Sequence, residues 1–268
     1  MRLSTAPRVH HHGSAPERRA DHGGRLLSVI IPAWNEASLL PGTLASLHQA
    51  VREAGLAAEV IVVDNASTDG TAGIAACHGV RLVHEPVRGI ARARNAGARA
   101  ARGDVLVFLD ADTRVTARHL LAVRNAVDAG WAGGGAPLAL SDCRYRMVGA
   151  GVVLWNILAR CFGLAAGCFV FTPRELHNAV GGFDERLYAG EEIGYSRRLA
   201  RIARRERRRF GIIDAPPVES SGRKTHWFSP WQHVLVLLIF LLFPLAARFR
   251  RLTWFWYRRP GGAADRSA

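Results

Sequence analysis

The chain has almost no lysine, few cysteines and no long uninterrupted hydrophobic run. Lys224 is the only lysine among the 36 Lys and Arg residues, so arginine supplies nearly all the basic charge behind the net charge of +14. The four cysteines form no CxxC pair and no Cys/His ligand spacing, which argues against structural zinc and fits a reducing compartment. No helix-turn-helix signature or aromatic-basic module is present, so nucleic acid is not expected as a partner.

Short β-rich segments alternate with helical segments from residue 26 onward. The predicted strands are Leu27–Ile31, Glu59–Val63, Val80–His84 and Asp104–Leu109, with a helix from Ser38 to Ala54. The later elements are a strand that follows Gly133–Gly135 and ends at Leu140, an apolar helix at 145–166 and a strand at Gly167–Thr172. This alternation predicts an α/β fold with a mainly parallel central sheet flanked by helices. Residues 1–25 are polar and lack periodicity, which predicts a disordered tail.

Polar residues follow three of these strands. Asn35 and Glu36 come after the first strand, Asp64 ends the second, and Asp110 and Asp112 follow the fourth. The carboxyl ends of parallel strands meet at one edge of a sheet, so we expect these side chains to converge. Two carboxylates one residue apart suit a divalent cation that in turn holds phosphates. On this segment alone, an Asx-type turn is the alternative.

Four motifs occur in a fixed order between residues 26 and 225. They are Ser28–Glu36, Val62–Thr71, Arg94–Gly97 with Phe108–Asp112, and Gly181–Glu185 with Gly190–Glu192 and Ser196–Leu199. Together they resemble the motifs of the inverting family-2 glycosyltransferases, and joint agreement is more specific than any single motif. The resemblance implies a GT-A fold, with a nucleotide-binding half at 26–130 and an acceptor half at 131–225.

The resemblance also implies a nucleotide-sugar donor, with a UDP-sugar favoured and a GDP-sugar as the alternative. Asp110 and Asp112 match the family's Asp-X-Asp site for Mg²⁺ or Mn²⁺, which acts on the departing diphosphate. Many members complete the metal shell with a late histidine, so His226 is a candidate ligand, and an ordinary surface histidine is the alternative.

Further positions match the family's donor pocket. The residues expected around base and ribose are Pro32, Asn35, Glu36 and Asp64. Of these, Asp64 resembles the residue that contacts the nucleobase. Arg88 and Arg94 are candidates to contact the phosphates, because arginine offers paired donors. A charge on a helix surface is the alternative reading for both arginines.

The adjacent acids Glu191 and Glu192 follow a glycine-rich turn at a predicted helix start. The resemblance implies that Glu192 is the general base and that Glu191 supports it, although the family more often has Glu-Asp here. Adjacent acids can also simply favour a helix N-terminus, and Glu185 is a weaker competitor for the base. The Gln-X-X-Arg-Trp motif of processive polymerases is absent, which predicts transfer of one sugar at a time.

The C-terminal segment, residues 226–268, is hydrophobic and basic. Val234–Phe243 is apolar on every face, but it is shorter than the ~20 residues that a membrane span needs. Tryptophans flank it, and the basic residues that follow are Arg248, Arg250, Arg251, Arg258 and Arg259. We expect an in-plane or re-entrant membrane anchor with these arginines on anionic headgroups. A helix packed against the domain or against a second subunit is the alternative.

The sequence therefore predicts a metal-dependent inverting glycosyltransferase at the cytoplasmic face of the cell membrane, peripheral or monotopic. Its expected partners are the membrane surface, the nucleotide-sugar donor and a glycan or lipid-linked acceptor hydroxyl. Two alternatives remain, a sugar-phosphate nucleotidyltransferase and a non-catalytic relative that binds nucleotide sugar. The first would not need the segment Gly190–Glu192.

Overall fold

A computed structural model describes residues 25–257. The predicted tail, apart from Arg25, and the arginines Arg258 and Arg259 lie outside the described residues. The ten strands are β1 Leu27–Ala33, β2 Ala58–Asp64, β3 Arg81–His84, β4 Val105–Leu109, β5 Thr113–Arg114, β6 Gly133–Gly135, β7 Leu138–Ser141, β8 Phe169–Pro173, β9 Phe210–Ile212 and β10 Val218–Ser221. Within the described residues, the α-helices are α1 Leu40–Ala54, α2 Thr71–Cys77, α3 Ile90–Ala100, α4 Ala117–Asp128, α5 Arg146–Phe162, α6 Arg174–Ala179, α7 Glu191–Arg205, α8 Lys224–Trp227, α9 Pro230–Leu242 and α10 Trp254–Tyr257. A short 3₁₀ helix covers Pro244–Arg248.

The central sheet has seven strands in the order β3-β2-β1-β4-β8-β6-β9. The first four are mutually parallel, and β8 runs antiparallel to β4 and β6. The predicted α/β fold with a mainly parallel sheet is confirmed. The sheet contains strands from both halves of the chain. A second sheet of three strands, in the order β5-β10-β7, lies beside the carboxyl end of β4.

Strand β1 shows why helices cover both faces of the sheet. Its side chains alternate between faces, as the pleat of a strand requires. Val29 and Ile31 pack in a core with α1 and α4, whereas Ile30 packs in a second core with α3 and α7. Helix α3 approaches closely because of Gly97, where a Cβ atom would lie 2.3 Å from the Ile30 side chain.

The strand predicted to end at Leu140 corresponds to β7, and the glycines before it form a further strand, β6, that the sequence did not predict. Residues 133–140 form two strands in different sheets, since β6 pairs with β8 in the central sheet and β7 pairs with β10 in the second. Gly133–Gly135 is a run of glycines because neighbouring backbone fills the space. A Cβ atom on Gly134 would lie 1.9 Å from the Gly211 carbonyl oxygen. A glycine run carries no side-chain periodicity, so β6 left no signal in the apolar pattern.

Helix α9 ends at Leu242, and the chain then turns through the 3₁₀ helix. Among the helices within residues 25–257, none is long and apolar enough to cross a membrane. The predicted anchor in this segment therefore stays a prediction.

Candidate active site

A cavity of about 640 Å³ lies at the carboxyl ends of β1 and β4. Strand β1 contributes Pro32 to its wall, and the turn after β4 contributes Asp110 and Asp112. Glu191 and Glu192 line it from the start of α7. The structure therefore brings the predicted metal-binding carboxylates and the predicted base into one cavity, at the edge of the sheet where ligands of such folds bind.

The turn that carries Asp110 and Asp112 is fixed by bonds from three elements. The Thr43 hydroxyl of α1 donates to the Ala111 carbonyl at 2.8 Å. The Asp110 amide donates to the Cys168 carbonyl at 3.1 Å, and the Ser221 amide donates to the Asp112 carbonyl at the same distance. Preorganised carboxylates of this kind bind a ligand without a further ordering cost.

Arg94 is buried at the centre of a network in the wall of the cavity. Its side chain is 1% exposed, and its guanidinium donates to Glu191 and, at 2.9 Å, to Asp110. It also donates to the Gly167 carbonyl at 2.7 Å. Arg94 thus has three protein partners and also lines the cavity, and its contact with the phosphates stays a prediction. Arg94 aligns the supporting acid with the first acid of the Asp-X-Asp pair.

Arg223 forms a second cationic contact on the opposite side of the cavity. Its two terminal nitrogens donate to the two carboxylate oxygens of Glu36 at 2.6 Å each. The same guanidinium lies 3.1 Å from Asp112. Glu36 therefore holds an arginine in contact with Asp112, one of the predicted metal ligands. Burial raises the pKa of Asp112 to about 6, against the opposing charge of Arg223.

The carboxylates in the cavity form a small oxygen donor set. Within the part of the chain that the structure describes, no group of three or more His, Cys, Asp or Glu side chains is arranged to hold a metal ion. Two carboxylates still suit Mg²⁺ or Mn²⁺, because such ions keep waters and take the remaining ligands from substrate phosphates. His226 contacts the Asp142 carbonyl at 2.9 Å and does not line the cavity, so its role as a metal ligand finds no support in this geometry.

Glu192 faces the cavity from the first turn of α7. Burial is the main cause that raises its pKa to about 8, and the neighbouring charge of Glu191 adds to this effect. Gly190 ends the preceding turn in the left-handed conformation, with φ of 70°, so that the helix begins with both acids at its N-terminus. A carboxyl whose pKa lies near neutrality is suited to accept a proton during catalysis.

The remaining predicted donor residues shape the turns beside the cavity. The Asp64 carboxylate accepts a hydrogen bond from the Ser67 amide at 3.2 Å and lies 3.3 Å from the His84 ring. Asn35 accepts a bond from the Thr68 amide at 2.8 Å. Arg88 lines the cavity and stacks on Trp34, with 3.4 Å between the guanidinium carbon and the ring centroid. Neither Asp64 nor Asn35 is among the residues that line the cavity.

Sequence reasoning missed Arg223 and Lys224 as site residues. Both line the cavity, and the carboxylates of Asp112 and Asp110 face Lys224, whose pKa is lowered chiefly by burial. The Lys224 ammonium also lies 5.3 Å from the Phe255 ring and 5.4 Å from the Trp256 ring. One signal was available, because Lys224 is the only lysine in a chain that otherwise uses arginine.

The match to a protein-family model covers the first part of this site. Residues 28–138 match the model described as glycosyl transferase family 2. This part of the chain belongs to glycosyl transferase family 2. The predicted family is confirmed, and the matched residues include the Asp-X-Asp pair. Glu191, Glu192, Arg223 and Lys224 lie beyond the matched region.

Curated relatives in the family agree with this assignment. An uncharacterized glycosyltransferase of Mycobacterium tuberculosis strain H37Rv is 36% identical over 107 residues, which are 40% of this chain and 46% of that protein. Glucosyl-3-phosphoglycerate synthase of the same strain is 36% identical over 104 residues, which are 36% of this chain and 32% of that protein. The matches thus span less than half of the relatives' length.

Solved structures share the fold. The mannosyltransferase PcManGT from Pyrobaculum calidifontis, in complex with GDP-Man and Mn²⁺, has a TM-score of 0.61 and 24% identity. That match covers 86% of this chain and 64% of PcManGT. A crystal structure of S. aureus TarS residues 1–349 with UDP-GlcNAc has a TM-score of 0.55 and 16% identity, covering 73% of this chain and 58% of TarS. The fold that this chain shares with PcManGT and TarS therefore extends beyond the region that matches family 2.

Proposed function

We propose that this family 2 protein transfers one sugar, with inversion, from a UDP- or GDP-sugar to an acceptor hydroxyl in a metal-dependent reaction. One observation carries the proposal, namely that Asp110, Asp112 and Glu192 line a single cavity. Inversion needs the diphosphate and the acceptor to lie on opposite sides of the sugar carbon. Asp110 and Asp112 follow β4, whereas Glu192 lies on α7. The residues that would hold the diphosphate and the residue that would deprotonate the acceptor therefore enter the cavity from different elements.

Asp110 and Asp112 would hold Mg²⁺ or Mn²⁺. When bound, the ion supplies Lewis-acid stabilisation of the charge that develops on the departing diphosphate. PcManGT, which shares the fold, was solved with GDP-Man and Mn²⁺, in keeping with this assignment. Lys224 and Arg223 are the nearby cations of the chain that can meet the same phosphates.

Glu192 would take the proton from the acceptor hydroxyl as the new bond forms. Arg94 holds Glu191 beside it, and the charge of Glu191 raises the pKa of Glu192 further. A more basic carboxylate accepts a hydroxyl proton more readily, so Glu191 contributes to the reaction without touching the substrate.

The test of this function is a donor assay with the Asp112→Asn variant. We expect the wild type to release sugar from one UDP- or GDP-sugar in the presence of Mn²⁺. The variant keeps an oxygen ligand but loses its charge, so it should require at least about tenfold more Mn²⁺ for half-maximal rate. Asp128→Asn on the exposed end of α4 is the control. Full activity of Asp112→Asn at low Mn²⁺ would refute the metal site, and synthesis of sugar nucleotide from sugar phosphate would instead favour a nucleotidyltransferase.

The pH dependence of the reaction provides a separate prediction. Only the deprotonated form of Glu192 can act as base, and its pKa is raised from 4.5 to about 8. The value of kcat/KM, which reports ionisations of the free enzyme, should therefore rise with pH up to about 8 instead of levelling off above an ordinary carboxyl pKa. Initial rates across a buffer series measure this. If kcat/KM were already constant above pH ~5, the ionisation that controls it would not be that of a glutamate with a raised pKa.

We also propose that residues 226–268 place the enzyme at the cytoplasmic face of the cell membrane, where a lipid-linked or membrane-near acceptor is available. On α9, exposed apolar side chains recur at helical spacing at Trp231, Leu235, Leu238 and Leu242. Exposed apolar side chains of this kind support contact with lipid.

A further inference from the structure

Exposed hydrophobic side chains are confined almost entirely to two segments. Among the large hydrophobic side chains described as exposed, only Val87 and Leu121 lie outside α5 and residues 226–257. Those on α5 are Met147, Val153, Leu154, Ile157, Leu158 and Phe162. Contiguous exposed apolar surface of this extent marks a contact site on a soluble domain. The exposed apolar side chains of α5 therefore indicate a binding partner other than the described part of the chain.

Helix α5 connects this surface with the cavity. Val148, Val152 and Trp155 line the cavity from one face of the helix. Leu154, Leu158 and Phe162 follow one another at intervals of four on the neighbouring face, which is exposed. A single helix thus has one apolar face on the cavity and another on the outside of the protein.

The starts of α5 and α9 lie side by side. The Arg144 amide, just before α5, donates to the Thr225 hydroxyl at 3.0 Å. The rings of Tyr145 and His233 are 6.4 Å apart, and His233 lies in the first turns of α9. Both helices line the same cavity. Met147 and Trp256 line it while remaining exposed, so they mark its mouth next to the apolar surface.

The charge around this surface has one sign. The chain has no Asp or Glu between Asp142 and Glu175, or between Glu219 and Asp265. The exposed arginines along the two segments include Arg144, Arg146, Arg160, Arg248 and Arg251. Apolar side chains on two segments that carry arginines and no acids complement a layer whose interior is hydrocarbon and whose border is anionic.

We infer that α5 and α9 together form one surface that binds an anionic phospholipid bilayer, and that the cavity opens at this surface. The partner is the lipid surface itself. An acceptor with an apolar portion then reaches Glu192 between the two helices without leaving the bilayer. This last step rests on the proposed glycosyl transfer, whereas the binding surface does not.

Flotation with vesicles tests the surface directly. The purified full chain is mixed with vesicles of phosphatidylcholine and phosphatidylglycerol in equal parts, or of phosphatidylcholine alone, and then centrifuged through a density gradient. We expect the protein to float with the anionic vesicles and to float less with the neutral ones. Association through arginine and apolar contacts should weaken, without vanishing, at high salt.

Helix α5 offers a matched pair of variants. Leu158 on α5 is 39% exposed and Leu121 on α4 is 40% exposed, so glutamate at either position is tolerated equally by the fold. Leu158→Glu should lower vesicle binding by about tenfold or more, because one leucine no longer enters the lipid. Leu121→Glu should float like the wild type. Adding Leu154→Glu to Leu158→Glu should lower binding further.

Two outcomes would overturn the inference. If Leu158→Glu floats as well as Leu121→Glu, α5 does not contact lipid. If the wild type stays at the bottom of the gradient and elutes as a dimer that Leu158→Glu dissociates, a second copy of the chain covers the surface instead. Binding of UDP and of GDP in the presence of Mn²⁺, measured on the same samples, separates this inference from the proposed function. Protein that floats but binds no nucleotide would refute only the function.

Discussion

Replacing Glu192 with glutamine is expected to lower kcat by about 10²–10⁴-fold, the range that a general base contributes. Glutamine has nearly the same size and can still occupy the wall of the cavity, but it cannot accept the acceptor proton. The KM for the donor should change little, because the variant keeps the residues proposed to hold the metal and the phosphates, namely Asp110, Asp112, Arg223 and Lys224. Steady-state rates with a transferable sugar measure both constants.

Glu206→Gln provides the control for that experiment. Glu206 is an exposed acid at the other end of α7, so the same chemical change is made on the same helix away from the cavity. Its rates should equal those of the wild type. If Glu192→Gln retained wild-type kcat while Glu191→Gln lost it, the roles of the two acids would have to be exchanged.

Replacing Arg94 with methionine is expected to destabilise the fold by about 3–5 kcal/mol, the cost of leaving buried charges without their partner. Methionine fills much of the volume, so the loss comes from Glu191 and Asp110, whose carboxylates would face each other without a cation. For a domain of this size the melting temperature should fall by roughly 10 °C. Thermal unfolding followed by circular dichroism measures the change.

Arg92→Met on the same helix is the matched control. Arg92 is 40% exposed and lies 3.2 Å from Glu185 at the surface, so its loss should cost less than about 1 kcal/mol. Equal melting temperatures for Arg92→Met and Arg94→Met would show that the buried network contributes no more than a surface pair. Lowering the pH should narrow the difference in melting temperature between Arg94→Met and the wild type, since burial raises the pKa of Asp110 and its protonated form no longer needs the guanidinium.

Much of the fold could be predicted because its signals are local. The predicted first, second and fourth strands coincide with β1, β2 and β4 to within two residues at each end, since buried parallel strands are continuous apolar runs. The order of polar residues after these strands also placed Glu36, Asp110 and Asp112 at one edge. These conclusions needed only periodicity and the geometry of parallel sheets.

The charge partners could not be predicted because they are distant in the sequence. Glu36 and Arg223 are 187 residues apart, and Arg94 and Glu191 are 97 apart. No periodicity relates positions so far apart. The sequence therefore predicted for Arg94 either a contact with the phosphates or a charge on the helix surface. The structure places Arg94 in the cavity wall, in contact with Glu191 and Asp110. The apolar pattern of α5 was visible, but the sequence did not indicate which of its faces lies on the cavity and which on the exterior.

The arginine that Glu36 holds over Asp112 has a consequence for ion affinity. A divalent cation that binds Asp112 replaces a contact already made by a monovalent one, so binding is an exchange between counter-ions and not the filling of a bare anionic site. The favourable free energy of metal binding would therefore be reduced by the free energy of the Arg223–Asp112 contact that is lost. The diphosphate of a nucleotide that binds with the metal would accept hydrogen bonds from Arg223 and so replace the lost contact with Asp112. Metal and donor should accordingly bind with positive cooperativity, with the Glu36–Arg223 pair setting its strength.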